Sequence, residues 1–244
     1  MNSRYRIIVG GGLVALFVLP SLGFAQSLGS AGSFAVLAGS TVTNAGATTI
    51  IGSVGVSPGT AITGLPAGQP TGGTVHAGED VAAQAQSDLT GAYNSLAGMA
   101  CGTNLTGQDL GGQTLAPGVY CFNSSAPVTG TLTLDAQGNS NAVFVFQIGS
   151  TLTTATDAAL NLTGGAQSTN VYWQVGSSAT LGTGTVFGGN IVALASITLT
   201  TGVRLDGKAL ARTGAVTMDA NFVGDATGVP LEKTTWGMIK VIYR

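Results

Sequence analysis

A three-residue unit recurs along the chain and limits the folds open to it: a small or hydroxylated residue, an apolar residue, then a threonine. It occurs as Thr41-Val42-Thr43, Ala61-Ile62-Thr63, Thr131-Leu132-Thr133, Thr151-Leu152-Thr153, Ser178-Ala179-Thr180, Ser196-Ile197-Thr198 and Ala215-Val216-Thr217, with Thr74-Val75-His76 as a variant ending in histidine. Side chains alternate across a strand, so the middle residue of each unit points one way and its two flanks point the other. Eight short strands of this kind can share one outer face. From Thr180 the next equivalent threonine is Thr198 and the one after it is Thr217, two nearly equal steps along the chain. Each step has the length of one turn of a solenoid, whereas the β-sandwich, the runner-up fold, returns by antiparallel hairpins at much shorter spacing. The second half of the chain, at least, coils.

Composition supports the same reading. Of 244 residues 39 are Gly and 32 are Thr, while Lys, Arg, Asp and Glu together make only 7%. Glycine suits the corners of a coil, and parallel ladders bury Val, Ile, Leu and Phe on the inside. The runs Val143-Phe144-Val145-Phe146, Val171-Tyr172-Trp173 and Gly189-Asn190-Ile191-Val192-Ala193-Leu194 supply the other sides of the tube. The chain lacks the helix formers of a bundle, the third-residue glycine of collagen and the charge of a disordered chain. Its net charge of −2 offers no basic footprint for a phosphate backbone, which excludes nucleic acid as a partner.

One stretch, Glu79 to Gly98, has helical spacing, with Val81, Ala85, Leu89, Ala92 and Leu96 on a single stripe and Tyr93 beside it. Glu79 and Asp80 favour the positive end of the helix dipole, and Gly98 suits a left-handed cap. The segment 1–25 reads as a signal peptide: Arg4 and Arg6, an apolar run from Ile7 to Phe24, and the small residues Gly23 and Ala25 before the cut. Cleavage there makes the protein secreted, extracellular or periplasmic, and the loss of Arg4 and Arg6 takes the formal charge from −2 to −4. Residues 26–230 then form one domain. The tail 231–244 differs in composition, with Glu232, Lys233, Trp236, Lys240 and Arg244, and continues no coil. In an exported chain the two cysteines, Cys101 and Cys121, read as one disulfide, the alternative being two buried free thiols; two ligands cannot close a zinc shell.

With these blocks in view, the sequence resembles the microbial ice-binding proteins. The resemblance is carried by FAVLAGSTVTN from Phe34, IGSVGVSPGTAITG from Ile51, DLGGQTLAPGVY from Asp109, VFVFQIGSTL from Val143, LTGGAQSTNVYWQVGSSATLGTGT from Leu162 and ITLTTGVRLDGKALAR from Ile197. It spans about Leu28 to Gly224 and implies an all-β fold, a right-handed discontinuous β-solenoid with one long α-helix packed along its side. Coil order then differs from chain order, because the N-terminal segment joins coils made by the C-terminal half. The resemblance also implies that the face meeting ice includes the segments Thr41 to Thr43, Ala61 to Thr63, Thr74 to His76 and Ala215 to Thr217. Two features depart from the family. The segment Met99 to Thr106 is short where several relatives carry a larger cap, suggesting the disulfide as a substitute clamp, and His76 interrupts a row of small residues.

Catalysis needs converging titratable groups, and the best cluster is Arg204, Asp206 and Lys208, which alternate on one strand. A polysaccharide-lyase reading of that row competes with a surface salt-bridge row, and the salt-bridge row is the favoured reading. The glycine-rich runs lack the lysine of a P-loop and the spacing of a dinucleotide fold. The expectation is a protein that is no enzyme, uses no cofactor, metal or small-molecule substrate, and acts as a monomer on an ice crystal surface. The alternative is an adhesive or structural solenoid binding glycan or protein. The expected contact row is Thr41, Thr43, Thr63, Thr74, Thr151, Thr153, Ser178, Thr180, Ser196, Thr198, Ala215 and Thr217.

Overall fold

The computed structural model describes residues 27–225; the expected signal peptide and the tail 231–244 lie outside the described residues. The chain winds as a parallel solenoid with three walls, all its strand pairings being parallel. The first wall runs Val75–Ala77, Ser53–Val56, Phe34–Ala38, the second halves of Arg204–Ala211 and Val186–Ala193, then Val171–Val175, Phe144–Ile148, Gly118–Phe122 and Thr103–Asn104. The second is a separate seven-stranded sheet. The third joins Thr114–Leu115, Thr131–Asp135, Ala159–Thr163, the first halves of the two long strands, Phe222–Gly224 and Thr49–Ile51.

The two long strands carry the sheet from the third wall into the first, and glycine makes that corner possible. Gly189 and Gly207 face each other in register with φ of +110° and +144°. A Cβ on Gly207 would strike the Gly189 backbone, so both the angle and the close approach require glycine.

The fold is a right-handed discontinuous β-solenoid, all-β apart from one long helix, and its discontinuity is visible in the pairings. Thr41–Ala45 lies beside Val216–Asp219, and Phe34–Ala38 lies beside Arg204–Ala211, so the N-terminal coils extend the stack beyond the C-terminal coil. The interior is a continuous apolar column that includes Val42, Leu152, Ile197 and Val216.

The helix Asp80–Ala97 lies against the outside of the first wall. Ala85, Leu89, Ala92 and Leu96 bury themselves against Phe34, Leu37, Val145, Tyr172, Val192 and Leu210. The Gln147 amide donates to the Leu96 and Met99 carbonyls at 2.8 Å each, and the Arg212 guanidinium sits 4.6 Å over the Tyr93 ring. Two expectations are corrected here. Val81 is 51% exposed and the fully buried Ala82 takes its place inward, so the covered stripe runs through Ala82, Ala85, Leu89, Ala92 and Leu96 and leaves Val81 on its solvent side. Gly98 is right-handed, with φ −85° and ψ −2°, and its N–H closes the helix on the Asn94 and Leu96 carbonyls.

Candidate binding face

The seven-stranded sheet stacks Ala126–Val128, Leu152–Thr154, Ala179–Leu181, Ile197–Leu199, Val216–Asp219, Thr41–Ala45 and Ala61–Thr63 in that order. Because the central apolar residues point into the column, the flanking residues form two outward ranks. In register, Pro127, Thr153, Thr180, Thr198, Thr217, Thr43 and Thr63 make one rank, so six threonines follow one another without interruption. Two positions earlier on each coil come Ser125, Thr151, Ser178, Ser196, Ala215, Thr41 and Ala61. Neither rank contains a charged side chain. Strand spacing places neighbours within a rank about 4.8 Å apart, and alternation along a strand separates the ranks by about 6.6 Å. The result is a regular array of methyl and hydroxyl groups.

Eleven of the twelve expected residues stand in these ranks. Thr74 does not. From Thr63 the chain crosses the third wall, where Thr71 bridges Ile51, and so reaches the first wall before Val75–Ala77 begins. There the Thr74 hydroxyl lies 2.6 Å from His76 Nε2, and His76 Nδ1 lies 2.7 Å from Glu79. The Thr131-Leu132-Thr133 unit is also off this sheet, on the third wall, since Gly130 turns the chain immediately after Ala126–Val128. Sequence reasoning missed Ser125 and Pro127. A proline inside a strand argues against a ladder position, but it is tolerated here because Ala126–Val128 is the edge of the sheet. Ala61 completes its unit and aligns with Thr41.

The remaining polar groups serve the scaffold. Arg204 lies 4.2 Å over the Phe222 ring and Lys208 pairs with Asp225 at 2.7 Å, both contacts to the next coil, while Asp206 between them is buried. Asp109 accepts N–H bonds from Gly111 and Thr129 and the Thr129 hydroxyl. Burial works to raise its pKa, but these three bonds outweigh it and hold the carboxyl below the usual aspartate range. Cys101 and Cys121 are disulfide-bonded with Cα atoms 5.9 Å apart. Among the described residues no three His, Cys, Asp or Glu side chains converge on a metal-sized site.

A three-walled parallel solenoid with a helix on one wall and two charge-free outward ranks on another defines the scaffold class. Residues 36–224 match the family model described as Ice-binding-like, and the chain belongs to that family. It is 54% identical over 230 residues to an ice-binding protein of Nostoc sp. (strain HG1), covering 93% of this chain and 84% of that one. Among solved structures it is similar to an ice-binding protein from an Antarctic biological consortium, with a TM-score of 0.78 and 50% identity over 82% of this chain and 90% of that one. The ice-binding protein of the Antarctic ascomycete Antarctomyces psychrotrophicus has a TM-score of 0.78 and 42% identity, covering 82% and 97% of the two chains.

Proposed function

We propose that the protein is secreted and adsorbs to ice crystals as a monomer through the seven-stranded wall, whose outward ranks include Thr41, Thr43, Thr63, Thr151, Thr153, Ser178, Thr180, Ser196, Thr198, Ala215 and Thr217. Molecules anchored on the crystal force the ice between them to grow as a curved surface, which lowers the local freezing point and suppresses recrystallisation. The observation that carries this reading is the unbroken rank of six threonines on one wall, with no charged side chain in either outward rank. Methyl groups fit into cages of ordered water and hydroxyls bond the cage edges, while a charge would hold a hydration shell of its own geometry. Restricted χ1 of threonine and a closed parallel frame leave little entropy to lose on contact. The wall is complete within one chain, which supports action as a monomer, and the leader expected from the sequence together with the family supports an extracellular site of action. The purified protein, cut after Ala25, is expected to shape ice crystals and to inhibit recrystallisation in a concentrated sugar solution. Crystals that coarsen as they do in buffer would contradict the reading.

A further inference from the structure

We propose that the two ranks of the wall have different tasks: the threonine rank meets the ice, and Ser178 and Ser196 are positioning residues that hold consecutive threonines in register. This rests on the reading of the wall as the ice-contact surface. The hydroxyl oxygen of Ser178 accepts the backbone N–H of Ser196 on the next coil at 3.3 Å, and the hydroxyl oxygen of Ser196 accepts the N–H of Ala215 on the coil after that at 3.2 Å. Both N–H groups lie at the corner where the chain enters the seven-stranded sheet. The backbone ladder resumes on either side of the first, through Ala195 N–H to the Ser177 carbonyl and Ile197 N–H to the Ala215 carbonyl. Each serine therefore supplies a rung at the corner, just ahead of a threonine. The first rung sets Thr198 against Thr180, and the second sets Thr217 against Thr198.

This engagement draws the serine oxygens down to the level of the backbone and directs them along the solenoid axis. Thr151 is similarly occupied, donating to the Ser125 hydroxyl at 2.8 Å. Serine has no methyl group, so what such a residue offers to a solid lattice is small. Apart from Thr41, whose hydroxyl also lacks a protein partner among the described residues, the serine-bearing rank differs in this from the threonine rank. Among the described residues the hydroxyls of Thr63, Thr153, Thr180 and Thr198 have no protein partner, and each of these side chains also presents a methyl group. The serine rungs stop at Ala215, where the chain order breaks and Thr41–Ala45 takes over the stack. At that junction the threonines bond each other directly, Thr43 Oγ1 donating to Thr217 Oγ1 at 3.3 Å, so the rank passes the break without a serine.

The test compares three double variants with the wild type: Thr180→Ala/Thr198→Ala, Ser178→Ala/Ser196→Ala, and Ser178→Thr/Ser196→Thr, which keeps the accepting oxygen. Thermal hysteresis reads adsorption. Amide hydrogen exchange at Ser196 and Ala215 reads the rungs, with the buried Ile197 amide as reference for opening of the whole coil. The threonine pair is expected to lose hysteresis about fivefold or more with exchange at Ser196 and Ala215 unchanged. The serine-to-alanine pair is expected to lose only about twofold, while exchange at those two amides quickens about tenfold, the effect of losing roughly one hydrogen bond's stabilisation. Both changes should be reversed in the serine-to-threonine pair. The proposal is overturned if the serine-to-alanine pair loses as much hysteresis as the threonine pair, or if exchange at Ser196 and Ala215 does not change. A wild type inert towards ice would instead remove the reading beneath it.

Discussion

Trp173 lies flat against Phe146 inside the solenoid, with ring centroids 4.0 Å apart and planes within 10°. Tyr120 continues the stack from the coil below Phe146, and Phe187 covers the other side of the indole at 4.7 Å. The indole N–H donates to the Gly188 carbonyl at 2.9 Å, at the corner between the third wall and the first. Trp173 thus joins the aromatic column to the turn that the glycines make possible. Trp173→Ala is expected to cost about 3 to 5 kcal/mol, the usual range for emptying a large core site. Trp173→Phe keeps much of the stack but leaves the Gly188 carbonyl without its donor, at about 1 to 3 kcal/mol. Urea unfolding followed by circular dichroism measures both; equal losses for the two variants would show that the hydrogen bond, rather than the stack, dominates.

Acid should weaken the fold at two carboxylates. Asp88 receives the hydroxyl and the backbone N–H of Ser30, each at 2.7 Å, and the Gln84 amide at 2.8 Å, and the Ser30 bonds hold it below the usual aspartate range. Asp109 is lowered by its bonds from Thr129 and Gly111 against the opposing effect of burial. A carboxyl whose pKa is lower in the folded state contributes its full stabilisation above the unfolded value, near 4, and loses it as pH falls through the folded value. Melting temperature should therefore be flat with respect to these groups between about pH 7 and 5 and should drop below about pH 4. The double variant Asp88→Asn/Asp109→Asn should start lower and show a shallower acid fall. An acid fall as steep as that of the wild type would place the titration elsewhere.

The Cys101–Cys121 disulfide closes the segment between the helix and the strand Gly118–Phe122. Loop closure over a sequence separation of 20 corresponds to about 3 kcal/mol of stabilisation in the chain-entropy account. Cys101→Ser/Cys121→Ser should unfold at lower urea concentration by that order and keep the seven-stranded wall intact, since neither cysteine lies in it. Ice activity measured in the cold should be nearly unchanged. A large loss of activity at full folding would mean that the clamp shapes the wall.

The coiled architecture was legible because a coil repeats its own chemistry. Six of the eight threonine units fall on one sheet, and the even steps from Thr180 to Thr198 to Thr217 are successive turns of it. Which wall a unit joins was less legible, because this depends on the corner before it. Thr74-Val75-His76 and Thr131-Leu132-Thr133 have the right pattern but follow different corners, and local alternation carries no record of that. Pro127 hid a strand by removing a donor that an edge position does not need. The partners of Arg204 and Lys208 were not readable either, since Phe222 and Asp225 lie a whole coil further along the chain and meet them only through winding. Val81 misled for a simpler reason: Val81 and Ala82 both fit a helical stripe through Ala85, Leu89 and Leu96, and the packing turns the smaller Ala82 inward.

The central claim is that ice is met by the outward threonine rank, and a single bulky residue in the middle of that rank tests it most directly. Thr198 stands between Thr180 and Thr217, while the neighbouring Ile197 and Leu199 point inward and are buried. Thr198→Tyr would raise a ring above the plane and leave the core untouched, and Thr198→Lys would place a tightly hydrated ammonium at the same point. Thr169→Tyr, on an exposed turn away from the wall, serves as the control. Thermal hysteresis and circular dichroism should be recorded on the same preparations. The account predicts that Thr198→Tyr loses nearly all hysteresis, that Thr198→Lys is strongly impaired, and that Thr169→Tyr matches the wild type, with all three folded; full hysteresis in a folded Thr198→Tyr would contradict it.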